Sequence, residues 1–228
     1  MRPCTRRRCV GGSDVVGAGE VRAFIRRFAE LIAEHKDELT ALDAAIGDAD
    51  HGTNMDRGLQ AALERLPGET ATPADLFKAV AMALISKVGG ASGPLYGTAF
   101  LRAAAAVGSK TSLEPADVAA LFRAALAGIQ ERGKATTGEK TMVDAFAPAV
   151  AALEERLGQG AGLEEALRAA LEAARQGSDS TIPLVATKGR ASYLSERSRG
   201  HRDPGSLSTV LLFQAAAETL AGGSGAGA

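Results

Sequence analysis

The stretch VRAFIRRFAELI, residues 21–32, decides the fold class. Val21, Ile25, Phe28 and Ile32 recur at three- and four-residue spacing, which draws one apolar stripe along a helix of 3.6 residues per turn. The same spacing returns at Leu76, Val80, Ala83 and Val88, at Val118, Phe122, Leu126 and Ile129, at Met142, Phe146, Val150 and Leu153, and at Leu163, Leu167, Ala170 and Ala174. The alanine-rich SLSTVLLFQAAAETLAG, residues 206–222, makes a last helix. Alternating strand patterns are absent, so the expectation is an all-α bundle.

Between the stripes lie stretches rich in Gly, Thr, Ser and Asp: DAAIGDADHGTN at 43–54, VGGASGPLYG at 88–97, RGKATTGEKT at 132–141 and VATKGRASYLSERSRGHRDPGS at 185–206. A bundle draws its stability from the stripes, so glycine and charge in the loops are free for another use. Function should therefore sit where the loops gather.

The 228 residues can bury a sizeable core, and no Pro/Ser-rich linker divides them, which points to one domain. We place its bounds at residues 19–222, with 1–18 as a disordered extension and 223–228 as a flexible tail. A formal net charge of −1 gives no electrostatic reason to expect nucleic acid or an anionic membrane. Both cysteines, Cys4 and Cys9, fall in the Arg-rich opening, which leaves no disulfide framework and suits a reducing cytoplasm. No apolar run reaches membrane-spanning length.

Asp43, Asp48 and Asp50 concentrate charge around Gly47 and Gly52. On a helix Asp48 would point about 140° away from Asp43, whereas a turn, which Gly47 permits, would gather all three. Clustered carboxylates repel unless a cation sits among them, and hard oxygen ligands suit Mg²⁺ or Ca²⁺. An EF-hand register begun at Asp48 puts Thr53 where glycine belongs and Leu59 where glutamate belongs, so that loop is excluded. A magnesium–phosphate platform and a solvated acidic loop both remain. His51, next to the carboxylates, has a better claim to a site than His35, on an amphipathic helix, or His201, in a loop.

The sequence GKATTGEKT, residues 133–141, misses the P-loop because Glu139 separates the second glycine from Lys140 and Thr141, and because a helix rather than a strand precedes it. Lys134 and Lys140 stay as phosphate or structural contacts. GGASGPLYG and HRDPGSLST each place small residues and a proline before a helix, a form that serves either an anion or a plain turn. Lys188, Arg190, Arg197 and Arg199 make the 186–201 connection basic.

Taken together, LDAAIGDADHGTNMDRG (42–58), GGASGPLYGTAF (89–100), GKATTGEKTMVDAFAPA (133–149) and ATKGRASYLSERSRGHRDPGS (186–206) resemble the nucleotide-binding L subunit of bacterial phosphoenolpyruvate-dependent dihydroxyacetone kinase and the C-terminal domain of ATP-dependent dihydroxyacetone kinases. The resemblance covers residues from about 20 to 222. It implies a closed antiparallel barrel of eight helices with ADP, or ATP, held across one end through two Mg²⁺ ions. Asp43, Asp48 and Asp50 match the family's metal ligands. His51, Gly52, Thr53, Asn54, Ser92, Gly93, Gly133, Met142, Arg190, Asp203, Pro204 and Gly205 match its nucleotide contacts. No side chain is assigned as catalytic; the metal–nucleotide centre carries the chemistry. The implied partners are a K subunit that holds dihydroxyacetone and an M subunit whose phosphohistidine recharges ADP in place. Two other expectations are an L-type subunit of an ATP-dependent kinase for another small keto sugar such as erythrulose, and a nucleotide-state sensor that docks on a transcription regulator.

Overall fold

Val16 and Gly17 pair antiparallel with Ser112 and Leu113, a contact that brings residues assigned to the opening extension into the fold. The computed structural model describes residues 15–221. The remainder of the expected extension, the cysteine pair and the tail lie outside the described residues. Those strands, β1 (Val16–Gly17) and β2 (Ser112–Leu113), are the whole of the β-structure among the described residues. The rest is helical: α1 (Ala18–Glu34), α2 (Lys36–Ile46), α3 (His51–Leu63), α4 (Pro73–Lys87), α5 (Ser92–Val107), α6 (Pro115–Gly133), α7 (Val143–Gly158), α8 (Leu163–Ser180), a 3-10 segment (Arg190–Ser198) and α9 (Pro204–Thr219).

The expected all-α class stands, with nine α-helices among the described residues where the resemblance implied eight. The additional one arises at His35, whose backbone (φ −100°, ψ 12°) leaves the helical region and separates α1 from α2. Contacts run α1–α3–α4–α5–α6–α7–α8–α9 and return to α1, a ring of eight helices with α2 set against α3 and α9.

The stripes form the core. Val21, Ile25, Phe28 and Ile32 are buried, as are Leu76, Val80, Ala83, Phe122, Phe146 and Leu167. Phe24, Phe122, Phe146 and Phe213, from α1, α6, α7 and α9, meet inside the ring. The Phe122 and Phe213 rings stack with centroids 4.9 Å apart, and Phe146 meets Phe213 edge-on at 5.1 Å. Each such pair contributes about 0.5–1.5 kcal/mol beyond the area it buries.

Helices that follow one another up and down a ring place alternate connections at the same end. The α2–α3, α4–α5, α6–α7 and α8–α9 connections all contribute to one cleft, and all four are stretches singled out above for glycine and charge.

Candidate functional site

The acidic turn owes its shape to two backbone features. A Cβ on Gly47 would stand 2.1 Å from Asp43 Oδ1, so glycine at the end of α2 lets the Asp43 carboxylate fold back over the turn. The turn that Gly47 permits takes its left-handed step at Ala49 (φ 62°). Asp43 Oδ2 then accepts the Asp50 N–H at 2.8 Å and the His51 N–H at 3.1 Å, which caps the start of α3. The outcome is that one carboxylate oxygen from each of Asp43, Asp48 and Asp50 lies within 4.8 Å of the other two. Asp43 is buried, Asp50 half-buried and Asp48 exposed.

Around this turn opens a cleft of about 750 Å³. Of the fifteen positions that the resemblance matched to metal or nucleotide, Asp43, Asp48, Asp50, His51, Ser92, Gly133, Met142, Arg190, Asp203, Pro204 and Gly205 line it. Four do not. Gly52 and Gly93 pack against backbone, since a Cβ on the first would lie 2.1 Å from Lys36 O and on the second 2.3 Å from Val88 O. Asn54 is buried with its side-chain oxygen accepting from Arg57, and Thr53 is exposed on α3.

His51 sits between two hydroxyls, with Nδ1 2.9 Å from Ser92 Oγ and Nε2 3.0 Å from Ser208 Oγ. Burial pushes its pKa down to about 4 against the pull of Asp43, so the imidazole is neutral. The hydroxyl chain continues from Ser208 to Tyr96, 2.8 Å away. These contacts fix the start of α5 and the start of α9 against the acidic turn.

Asp203 caps α9 by accepting the Ser206 N–H at 2.6 Å, with Pro204 in the first turn. Burial raises the Asp203 pKa to about 7. Asp203→Ala should lower stability by about 1 kcal/mol, the usual scale for a lost cap, while Asp203→Asn, which can still accept, should cost less. Thermal melts of the two variants give the comparison.

The Arg190 guanidinium lies 3.0 Å from Asp48, which sets the one basic connection against the acidic one. Arg132, which the sequence reading left outside the motifs, also lines the cleft, and so does Tyr193 at 86% exposure. Neither stood out in the sequence, because Arg132 belongs to a helix by its spacing and Tyr193 to a run of polar loop residues. Lys134 is exposed and lies outside the cleft, whereas Lys140 is fully buried, with Nζ donating to Thr181 O at 2.6 Å and to His201 O. Lys140 thus makes structural contacts while also bordering the cleft. His35 is half-buried and pairs with Glu38, and His201 contributes its backbone carbonyl.

Three carboxylates of differing burial in a cleft, beside the guanidinium groups of Arg132 and Arg190 and the starts of α3, α5, α7 and α9, make a set of hard oxygen donors with anion-binding groups next to them. Comparison with known proteins gives the same direction. Residues 45–218 match the family model described as the DAK2 domain. The chain belongs to the DAK2 domain family. This DAK2 chain is 46% identical over 200 residues to the PEP-dependent dihydroxyacetone kinase 1, ADP-binding subunit DhaL of Listeria innocua, covering 86% of this chain and 93% of that one. It is 43% identical over 192 residues to the PEP-dependent dihydroxyacetone kinase, ADP-binding subunit DhaL of Escherichia coli, covering 84% and 91%. Its fold overlays the crystal structure of the dihydroxyacetone kinase of C. freundii with a TM-score of 0.64 at 25% identity, covering 96% of this DAK2 chain and 37% of that enzyme.

Proposed function

We propose that this chain is the nucleotide-binding subunit of a dihydroxyacetone kinase. It holds ADP or ATP through two Mg²⁺ ions, a partner K subunit holds dihydroxyacetone, and a phosphohistidine M subunit recharges the ADP in place. The observation that carries this reading is the convergence of Asp43, Asp48 and Asp50 within 4.8 Å in the cleft of a DAK2 fold. The names of the 43–46% identical relatives support it.

Phosphoryl transfer asks for positioning and charge neutralisation more than for covalent chemistry by the protein. Asp43, Asp48 and Asp50 supply the oxygen set that magnesium prefers. Mg²⁺, when bound, neutralises charge on the transferring phosphoryl oxygens and orients them. Ser92 and the backbone at the start of α5 present N–H and hydroxyl donors to an anion, and the helix dipole favours it there. Arg190 brings a guanidinium suited to phosphate oxygens. Leu95, Ile129, Ala135 and Met142 give the cleft an apolar wall of the kind that accepts the faces of a purine.

Titration calorimetry and native mass spectrometry of the full chain should show ADP binding that requires Mg²⁺ and disappears with a chelator. With a K-type subunit, dihydroxyacetone and a phosphoryl donor, dihydroxyacetone phosphate should form. Failure to bind millimolar Mg-ADP would overturn the reading. Exchange of bound ADP with labelled free ATP would replace the relay by an ATP-dependent cycle.

A further inference from the structure

The connection from Thr181 to His201 carries Arg190 and Tyr193 into the cleft, yet its two ends lie side by side. The Gly200 N–H donates to Ile182 O at 2.8 Å and Arg199 Nη1 donates to Pro183 O at 2.9 Å. Between these ends sits the ammonium of Lys140, from a different connection, donating to Thr181 O on one limb and to His201 O on the other. Lys140 is 1% exposed and holds a left-handed backbone (φ 61°). A non-glycine residue in that region costs on the order of 1 kcal/mol and persists only where its surroundings over-determine it. Burying an ammonium costs several kcal/mol more unless its donors are satisfied, which is what the two carbonyls do, with the Asp203 and Asp144 carboxylates nearby. A compact ammonium with three donors suits two carbonyls at a neck better than the planar fork of arginine.

Next to Lys140, Glu139 O accepts the Thr187 N–H at 3.3 Å, so the stitching continues outward along the near limb. Further along the loop, Ala186 and Ala191, with Leu194, pack on Ile46 at the end of α2, three residues after Asp43 and two before Asp48. Arg190 then meets Asp48 at 3.0 Å.

We propose that Lys140 is a positioning residue: it clasps both ends of the 181–201 loop and thereby sets Arg190 against the acidic turn. This rests on the nucleotide reading for its functional consequence, and on geometry alone for the clasp. Lys140 also borders the cleft, so the competing role is direct contact with phosphate, which the expected results below separate.

In the full chain, Lys140→Met keeps much of the volume and removes the donors. It should speed hydrogen–deuterium exchange in residues 182–200 and lower Mg-ADP affinity by roughly 10- to 100-fold, the scale for groups that orient a direct contact. In an Arg190→Ala background the same substitution should cost less than about threefold, because its effect runs through Arg190. Full additivity with Arg190→Ala, or unchanged exchange in the loop, overturns the proposal in favour of direct contact or mere packing. If the wild type binds no Mg-ADP, the nucleotide reading fails while the exchange measurement still tests the clasp. Should Lys140→Met not fold, reductive methylation of the wild type decides: Lys140 should stay unlabelled while Lys134 and Lys188 react, and labelling of Lys140 at the rate of Lys134 overturns the clasp.

Discussion

Asp48→Ala should abolish Mg-dependent ADP binding, by at least about 100-fold, while the helical ring melts close to the wild-type temperature. The two halves of this expectation have separate causes. Asp48 is exposed and its contact is the ion pair with Arg190, and exposed pairs of this kind contribute about 1 kcal/mol or less to stability. As one of the three oxygen donors proposed for magnesium, however, it would have no substitute: removing even an outer partner of a metal ligand costs 10- to 100-fold, and a direct ligand costs at least as much. Asp43→Ala should behave differently. Its carboxylate also accepts the Asp50 and His51 N–H groups, so truncation should take about 1 kcal/mol of cap stability along with the binding. Calorimetric titration with Mg-ADP beside thermal melts separates the variants. A folded Asp48→Ala chain with wild-type affinity would remove the acidic turn from the metal site.

The division between what the sequence shows and what it hides follows from distance along the chain. Burial of Phe28, Val80, Phe146 or Leu167 is written in a repeat of three or four residues, and every stripe drawn from that repeat is in the core. The acidic turn was legible for the same reason, because its three carboxylates lie within eight residues and a helix could not gather them. The break at His35 left no mark, since the apolar stripe on either side continues in spacing and only the backbone departs. Lys140 reads in the sequence as a phosphate or a structural contact, and its carbonyl partners at Thr181 and His201 lie too far along the chain for spacing to reveal them. Arg132 shares a helical stretch with its neighbours, and its place at the cleft depends on how α6 is set in the ring. Glycine is the hardest residue to read, because a turn, a ligand and a close helix crossing all ask for the same missing Cβ.

Gly52 brings that ambiguity to a test. The motif assigns it to the nucleotide, but it does not border the cleft, and a Cβ there would lie 2.1 Å from Lys36 O and 2.6 Å from Thr40 Oγ1. Both atoms belong to α2, where the Thr40 hydroxyl already donates to Lys36 O at 2.8 Å, so neither can retreat without disturbing the helix. Gly52→Ala must therefore lift the start of α3 off α2. Overpacking of this kind costs about 1–3 kcal/mol and, against backbone, belongs at the upper end, which for a chain of this size is a fall of roughly 6–12 °C in Tm. His51 and Asp50 move with the helix start, so the Asp43 bonds that shape the acidic turn should lengthen and Mg-ADP affinity should fall together with stability. Gly19→Ala is the control: it lies in α1 with nothing within 4 Å of its Cβ, where the substitution should be neutral or stabilising by up to about 1 kcal/mol. If Gly52→Ala keeps the wild-type Tm but loses ADP, the glycine serves ligand approach rather than the crossing of α2 and α3. Loss of both, in step, places it in the frame that holds the three carboxylates together.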